Sequence, residues 1–219
     1  MAGLLILIAG MMGWHIQRWQ ATRQLGQNQS SQLFANTKKS STVKKSNKVD
    51  PKRILIVTFS RVGTNYPDVT LKVGHTQHIA NQIAQVTHGR QFSIQADDMY
   101  PKNYQATVDR AEREQDRNAR PEIKGPLPDM ANYDVIFLGY PIWWNEIPMP
   151  VRTFMDEENL NGKVIIPFST NAGSGWGDSL SQLRQKYPHA TLRGGYEVEG
   201  TRVNHSTHAI NKWLHELGF

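Results

Sequence analysis

Tyr133-Asp-Val-Ile-Phe-Leu-Gly-Tyr-Pro-Ile-Trp-Trp-Asn145 joins an apolar run to a loop that carries three aromatic side chains and a proline. Tyr133–Leu138 is rich in β-branched and aromatic residues without polar alternation, the pattern of a strand covered on both faces. It is entered from the breakers Pro126, Pro128 and Asp129. Strands covered on both faces belong to parallel sheets, whose crossover helices supply the cover, so helical patterns should flank this one.

They do. Upstream, Arg53–Phe59 (RILIVTF) predicts the first strand, and Thr76–His88, with Ile79, Ile83, Ala84 and Val86 at helical spacing, predicts a helix. Gln91–Gln95 predicts a short second strand, and Tyr104–Asn118 a polar helix with Ala106, Val108 and Ala111 as its apolar positions. Downstream, Pro150–Leu160 predicts a helix with Pro150 near its first turn, where a missing N–H is harmless. Lys163–Ser169 (KVIIPFS) predicts the fourth strand, with Pro167 near its carboxyl end because a mid-strand proline forfeits a ladder bond. Trp176–Tyr187 predicts a helix, Thr191–Glu199 a final strand broken at Gly194 and Gly195, and His205–Leu217 the last helix. Five such units specify an α/β fold, a doubly wound five-stranded parallel sheet over residues 52–219.

The chain before Lys52 is of another kind. Ala2–Gly13 is almost wholly apolar, and Trp14, Ile16 and Trp19 extend it toward the ~20 residues a bilayer span needs. Residues 1–19 are therefore expected to be a hydrophobic membrane anchor or a signal. No Lys or Arg precedes the run, as a secretory signal would have it. The positive flank follows the run, which favours a cytoplasmic domain, whereas an export signal would place the domain outside. The side of the membrane stays open. Residues 20–51 are rich in Gln, Ser, Thr, Asn and Lys and are expected to form a flexible, disordered polar linker closed by Pro51.

Seven of the 25 basic residues and one of the 19 acidic ones fall in residues 1–50, so 18 of each remain downstream. The net charge of +6 belongs to the leash, and the domain is neutral. That argues against a nucleic-acid partner, which requires a basic face on the folded part. The absence of cysteine excludes disulfides, thiolate metal sites, thiol catalysis and lipobox-type lipidation.

In open α/β sheets ligands bind beyond the carboxyl ends of the strands, where the strand order reverses. After strand one comes Ser60-Arg61-Val62-Gly63, an excursion, and then Gly74-His75-Thr76-Gln77 at the head of a helix. Hydroxyls, a close-approaching glycine and helix amides can cradle a phosphate, although the same residues also make ordinary turns. After strand three, Pro141 and Pro148 stiffen a loop in which Tyr140, Trp143 and Trp144 cluster. Aromatic faces beside backbone N–H groups suit a flat tricyclic ring, or else the tryptophans plug the sheet end, one of them doing each job. After strand four, Thr170-Asn171-Ala172-Gly173-Ser174-Gly175 can close over a ring edge or form a loose surface turn.

Together the three segments resemble the flavodoxins of the short, FMN-only kind, whose pattern is Y-F-S-x-x-G-N-T-x-x-[IV]-A, then G-Y-P-I-W-W, then P-F-x-T-x-x-G-S-G. Here Thr58-Phe59-Ser60-Arg61 resumes at Gly74-His75-Thr76-Gln77-His78-Ile79-Ala80, Gly139–Trp144 is complete, and Pro167-Phe168-Ser169-Thr170 leads to Gly173-Ser174-Gly175. The resemblance runs from about Lys52 to Phe219. It implies the flavodoxin-like strand order 2-1-3-4-5; flavodoxins are themselves an example of the switch-point rule. It implies FMN phosphate at Ser60, His75, Thr76 and Gln77, with Gly74 admitting it, and the isoalloxazine held by Pro141, Ile142, Trp143, Trp144, Thr170, Gly173, Ser174 and Gly175. These are expected to be cofactor-binding positions, with no catalytic residue and no metal. Two features depart from the pattern. Val62–Val73, with Asn65-Tyr66-Pro67-Asp68, splits the phosphate loop and reads as a flap, and His75 stands where Asn is usual.

Other readings fit less well. A receiver domain needs an acceptor Asp at the end of strand three, where Gly139 and Tyr140 stand, and a dinucleotide fold needs G-x-G-x-x-G after strand one. His75-x-x-His78 and His205-x-x-His208 have no third ligand nearby in sequence. The expected function is an FMN-binding redox protein that transfers electrons to a partner protein. The alternatives are an NAD(P)H-dependent reductase of a quinone or other small acceptor, and a non-redox FMN module. Neutral aromatics and few cations around the ring should disfavour negative charge on it and lower its potential. Carrier flavodoxins are usually acidic for docking, so the neutral domain argues for the enzyme or for a partner at the membrane, to which the N-terminal segment would hold it.

Overall fold

In the computed structural model, which describes residues 50–219, strand β1 (Ile54–Phe59) has all six side chains buried. The expectations for the anchor and most of the linker lie outside the described residues. A hairpin follows, β2 (Gly63–Asn65) and β3 (Val69–Leu71). The chain then continues through α1 (His75–Thr87), β4 (Arg90–Ile94), α2 (Tyr104–Asp116), β5 (Val135–Pro141), α3 (Met149–Glu157), β6 (Val164–Asn171), α4 (Ser179–Lys186), β7 (Thr191–Leu192), β8 (Tyr196–Glu199) and α5 (Thr207–Leu217).

The main sheet runs β4-β1-β5-β6, with β7 and β8 both paired to the outer side of β6, and every pairing is parallel. Counted by unit this is the order 2-1-3-4-5 that the family resemblance implied. Alternation along the strands divides the core into two layers. Ile54, Ile56, Phe137, Ile166 and Phe168 face α1 and α5, meeting Ile79, Ile83, Ile210 and Leu214. Leu55, Val57, Phe59, Ile136 and Leu138 face the other way, toward Val151, Phe154, Leu180 and Leu183 of α3 and α4. Each such fully buried side chain contributes on the order of 1.5–3 kcal/mol.

Pro167 corrects one expectation. It lies in the middle of β6, opposite Leu138, and not near the carboxyl end. The reason is the broken outer strand. β7 pairs Val164 and Ile165, β8 pairs Phe168 onward, and Arg193 donates to the Ile165 carbonyl. Strand alternation turns the Pro167 imide nitrogen toward the gap between them, where no ladder bond is lost. Gly194 and Gly195 make that gap, and a Cβ on Gly195 would fall 2.6 Å from the Pro167 carbonyl oxygen.

Four helices are shorter than their sequence patterns, α5 starting at Thr207 because a 3-10 turn takes up Gly200–His205. Asn118, at φ 48°, lies beyond the end of α2 at Asp116. Glu158 turns extended after α3, while Leu160 is fully buried. Gly177, at φ 50°, delays α4 until Ser179, whose hydroxyl donates to the Trp176 carbonyl. Among the described residues no helix is long and apolar enough to cross a membrane.

Candidate functional site

The carboxyl ends of β1, β5, β6 and β8 surround a cavity of about 540 Å³, within the range usual for ligand sites. Its polar end is built where β1 meets α1. The Gln77 amide donates to the Ser60 hydroxyl (3.1 Å), and the first intrahelical bond is made by His78 to the Gly74 carbonyl. The amides of His75 and Thr76 therefore stand ahead of that bond at the positive end of the helix. Gly74 is what lets the helix come this close, since a Cβ there would sit 2.2 Å from the Ser60 hydroxyl and 2.5 Å from the Arg61 carbonyl. Thr76 and Thr170 share a buried hydroxyl–hydroxyl bond of 2.8 Å, tying the first turn of α1 to the end of β6.

His75 is half-buried and lines the cavity. Burial first, and then His78, hold its pKa below the ordinary imidazole value. Gly200 leaves room for the ring, since a Cβ there would lie 2.4 Å from His75 Nδ1.

The apolar end belongs to the loop after β5. Trp143 and Glu146 exchange backbone bonds of 3.1 and 2.9 Å, closing a two-residue turn over Trp144 (φ 46°) and Asn145 (φ 68°). Two central residues with positive φ make a type I′ turn, easy for Asn and strained for Trp. The turn is held in place. Asp178 donates its amide to the Asn145 carbonyl (2.8 Å), and a Cβ on Gly177 would fall 2.2 Å from that oxygen. Glycine-loop and tryptophan-loop thus lock together.

The two tryptophans divide their work. Trp143 turns inward, edge-on to Phe59 (5.2 Å) and Tyr100 (5.0 Å). Trp144 is partly exposed, and its indole N–H donates to the Val108 carbonyl (3.2 Å), which lays it beside α2. Behind Trp143, Tyr100 donates to Glu114 while the Arg110 guanidinium lies 4.2 Å over its ring. Burial and the bond to Glu114 push the Tyr100 hydroxyl far above its usual pKa, so it remains a neutral support.

Of the residues expected from sequence, Ser60, His75, Thr76, Pro141, Ile142, Trp143, Trp144, Thr170 and Ser174 line the cavity together. Gly74, Gln77, Gly173 and Gly175 stand back from it, shaping the turns that carry the others. The structure adds Asn65 and Tyr66 from the hairpin, Tyr104 and Val108 from α2, Glu199 at the end of β8 and Thr201 just after it. Strand-end position could have pointed to the last two, but no residue-level signal marked α2 or the hairpin as walls.

Arg61 changes the expected electrostatics. It lines the cavity, half-buried, and donates to the carbonyls of Val62, Thr64, Pro101 and Lys102, with no ion-pair partner among the described residues. Burial lowers its pKa, yet a guanidinium remains charged. The cavity therefore holds one cation, at a residue that the expectation of neutral aromatics and few cations did not name. Among the described residues no cluster of three or more acidic or His side chains is arranged to hold a metal.

A hydroxyl-and-amide pole with a nearby cation, facing an aromatic pole, suits an amphiphilic ligand with an anionic tail and a flat ring. The flavodoxin family model matches residues 69–217. The chain is similar to the structure of a candidate flavoprotein from Bacteroides uniformis, at 26% identity and TM-score 0.61, covering 75% of this chain and 99% of that one. A candidate flavoprotein from Bacteroides eggerthii is similar at 27% identity and TM-score 0.56, over 73% of this chain and 98% of that one. A flavoprotein from Lactobacillus acidophilus in complex with FMN shares the fold at 20% identity and TM-score 0.52, over 70% and 97%. No curated protein matches the chain.

Proposed function

This chain belongs to the flavodoxin family, and from that premise we propose that its domain holds FMN in the cavity beyond β1, β5 and β6 and passes electrons through it. The observation that carries the reading is the polarity of the cavity. Ser60, His75 and Thr76 stand at one end, Ile142 and Trp144 at the other, and Gly74 leaves a cradle that a side chain would fill. These residues fit the group.

The His75 and Thr76 amides would receive the phosphate, with Ser60 fixing the turn. Pro141, Ile142 and Trp144 would bound the ring, and Trp143 supports them from behind. Bound FMN supplies a ring that takes up electrons singly or as hydride. The chain's own part is to orient that ring, exclude water and set the charge around it, to which Arg61 adds a cation.

A second reading, reduction of a quinone or other small acceptor by NAD(P)H, is favoured by the balance of 18 basic and 18 acidic residues after Asp50. A carrier that docks by charge would need an uneven surface. Stopped-flow mixing of the FMN-loaded protein with NADPH and then menadione separates the two. Loss and return of the visible flavin band supports the reductase. A band that NADPH leaves unchanged, while a one-electron donor bleaches it, rejects the reductase and leaves the carrier.

A further inference from the structure

The large apolar side chains that the described residues leave exposed are Val62, Tyr66, Val69, Val73, Met99, Tyr104 and Trp144. Their distribution is uneven. Tyr66, Tyr104 and Trp144 line the cavity, and the other four sit on the hairpin and on the loop leading into α2. The two segments are joined. Thr64 donates its amide to the Lys102 carbonyl (2.8 Å), and the Tyr104 amide donates to the Thr64 hydroxyl (2.7 Å). An apolar collar gathered on two joined segments that also help to wall the cavity marks a docking surface and not scatter.

We propose that this collar is the face on which the domain rests on a lipid bilayer, so that the cavity opens toward an apolar acceptor of the quinone class dissolved in the membrane. Three features select lipid as the occupant. Tyr and Trp, amphipathic rings that favour the membrane–water boundary, stand at the rim itself. Charge on the two segments cancels, Arg61, Lys72 and Lys102 against Asp68, Asp97 and Asp98, so the collar lacks the one-signed field that steers a charged protein partner.

The third is the length of chain before the domain. Asp50–Arg53 enters β1 at its amino end, the opposite pole from the collar. A domain of this size is about 40 Å across, so a bilayer-held segment must reach roughly 60 Å around it for the collar to face the same membrane. The 30 residues from Gln20 to Val49 span at most about 100 Å at full extension, which is enough.

The docking face stands independently of FMN, and only the identity of what enters rests on the proposed function. In that case a quinone from the lipid would take two electrons and two protons and leave as quinol. NAD(P)H would give up a hydride, with one further proton drawn from water.

The chain has no cysteine, so Met99→Cys offers a unique attachment point at a residue 76% exposed. Asn132→Cys, exposed just before β5, marks the opposite pole. Each full-length, FMN-loaded variant is given an environment-sensitive fluorophore and mixed with phosphatidylcholine vesicles containing a nitroxide lipid. The expected result is at least threefold stronger quenching at position 99 than at 132, with the difference abolished by Val62→Ser and Val73→Ser together. Neither of those valines lines the cavity. Equal quenching at both positions, or none at 99, overturns the proposal, as does a difference that survives the serines. Flavin absorbance read in the same samples reports the cofactor reading separately.

Discussion

Gly74 has an extended backbone at φ −67° that any residue could adopt, so its requirement is purely one of space. Gly74→Ala should push α1 away from Ser60 and weaken FMN binding about tenfold or more, roughly 1.4 kcal/mol, while far-ultraviolet circular dichroism stays unchanged. Unaltered affinity in a flavin titration would show that the approach of helix to strand is not what the cofactor needs. The tryptophans should separate in a similar way. Trp143→Ala removes an inward ring and should cost on the order of 2–3 kcal/mol by denaturant unfolding, less than a wholly buried Trp. Trp144→Ala should leave stability nearly unchanged and weaken FMN binding. His75 gives a dependence on pH. Its folded pKa lies below the unfolded value because of burial and then His78, so acid protonates the unfolded chain first. Its stabilising contribution is complete above about pH 6.5 and is lost as the pH falls through the lower folded value. The Tm of the cofactor-free chain should therefore drop across that window, and His75→Asn should flatten the drop. A phosphate beside the ring favours imidazolium, so FMN should also reduce it.

The β2–β3 hairpin is anchored mainly through Thr64 and Arg61, which bond to the chain between Pro101 and Tyr104. Thr64→Val keeps the shape but removes both hydroxyl bonds, at about 0.5–1.5 kcal/mol each. Hydrogen exchange of the hairpin amides should quicken while exchange in β1 and β5 does not. Sequence indicated an insertion at Val62–Val73 and a flap, but not where the flap would dock. Its partner is a backbone carbonyl at Lys102, which any residue offers. β5 was legible because continuous burial leaves a continuous apolar run. The middle position of Pro167 was not, because its tolerance depends on a gap in the neighbouring strand, a non-local fact. α4 starts late for a comparable reason. The glycine at 177 that interrupts its first turn is fixed by Asn145 in another loop.

At the scale of the whole molecule, the strand rhythm specified the parallel sheet, the family resemblance supplied its order, and strand-end loops specified most of the cavity. What escaped were walls contributed by elements whose sequence is ordinary, the face of α2 and the hairpin tip. A polar helix such as α2 keeps its few apolar residues for both core and cavity, and nothing in their spacing distinguishes the two uses. Arg61 escaped because it fills a variable position of the motif, where no residue type is specified. Its half-buried charge, satisfied among the described residues by carbonyl dipoles, puts a fixed positive potential at a cavity in a domain of balanced charge. Arg61→Gln should accordingly lower the midpoint potential of bound flavin, measured by equilibration with dyes of known potential.

Whether the cavity is an FMN site is read most directly by titrating the purified chain with FMN and following flavin fluorescence and the visible absorption spectrum. One equivalent should bind with quenching of flavin fluorescence, as stacking near Trp144 demands, and with affinity reduced by Gly74→Ala. A folded chain that leaves the fluorescence and spectrum of FMN unchanged at every concentration would contradict an FMN site there.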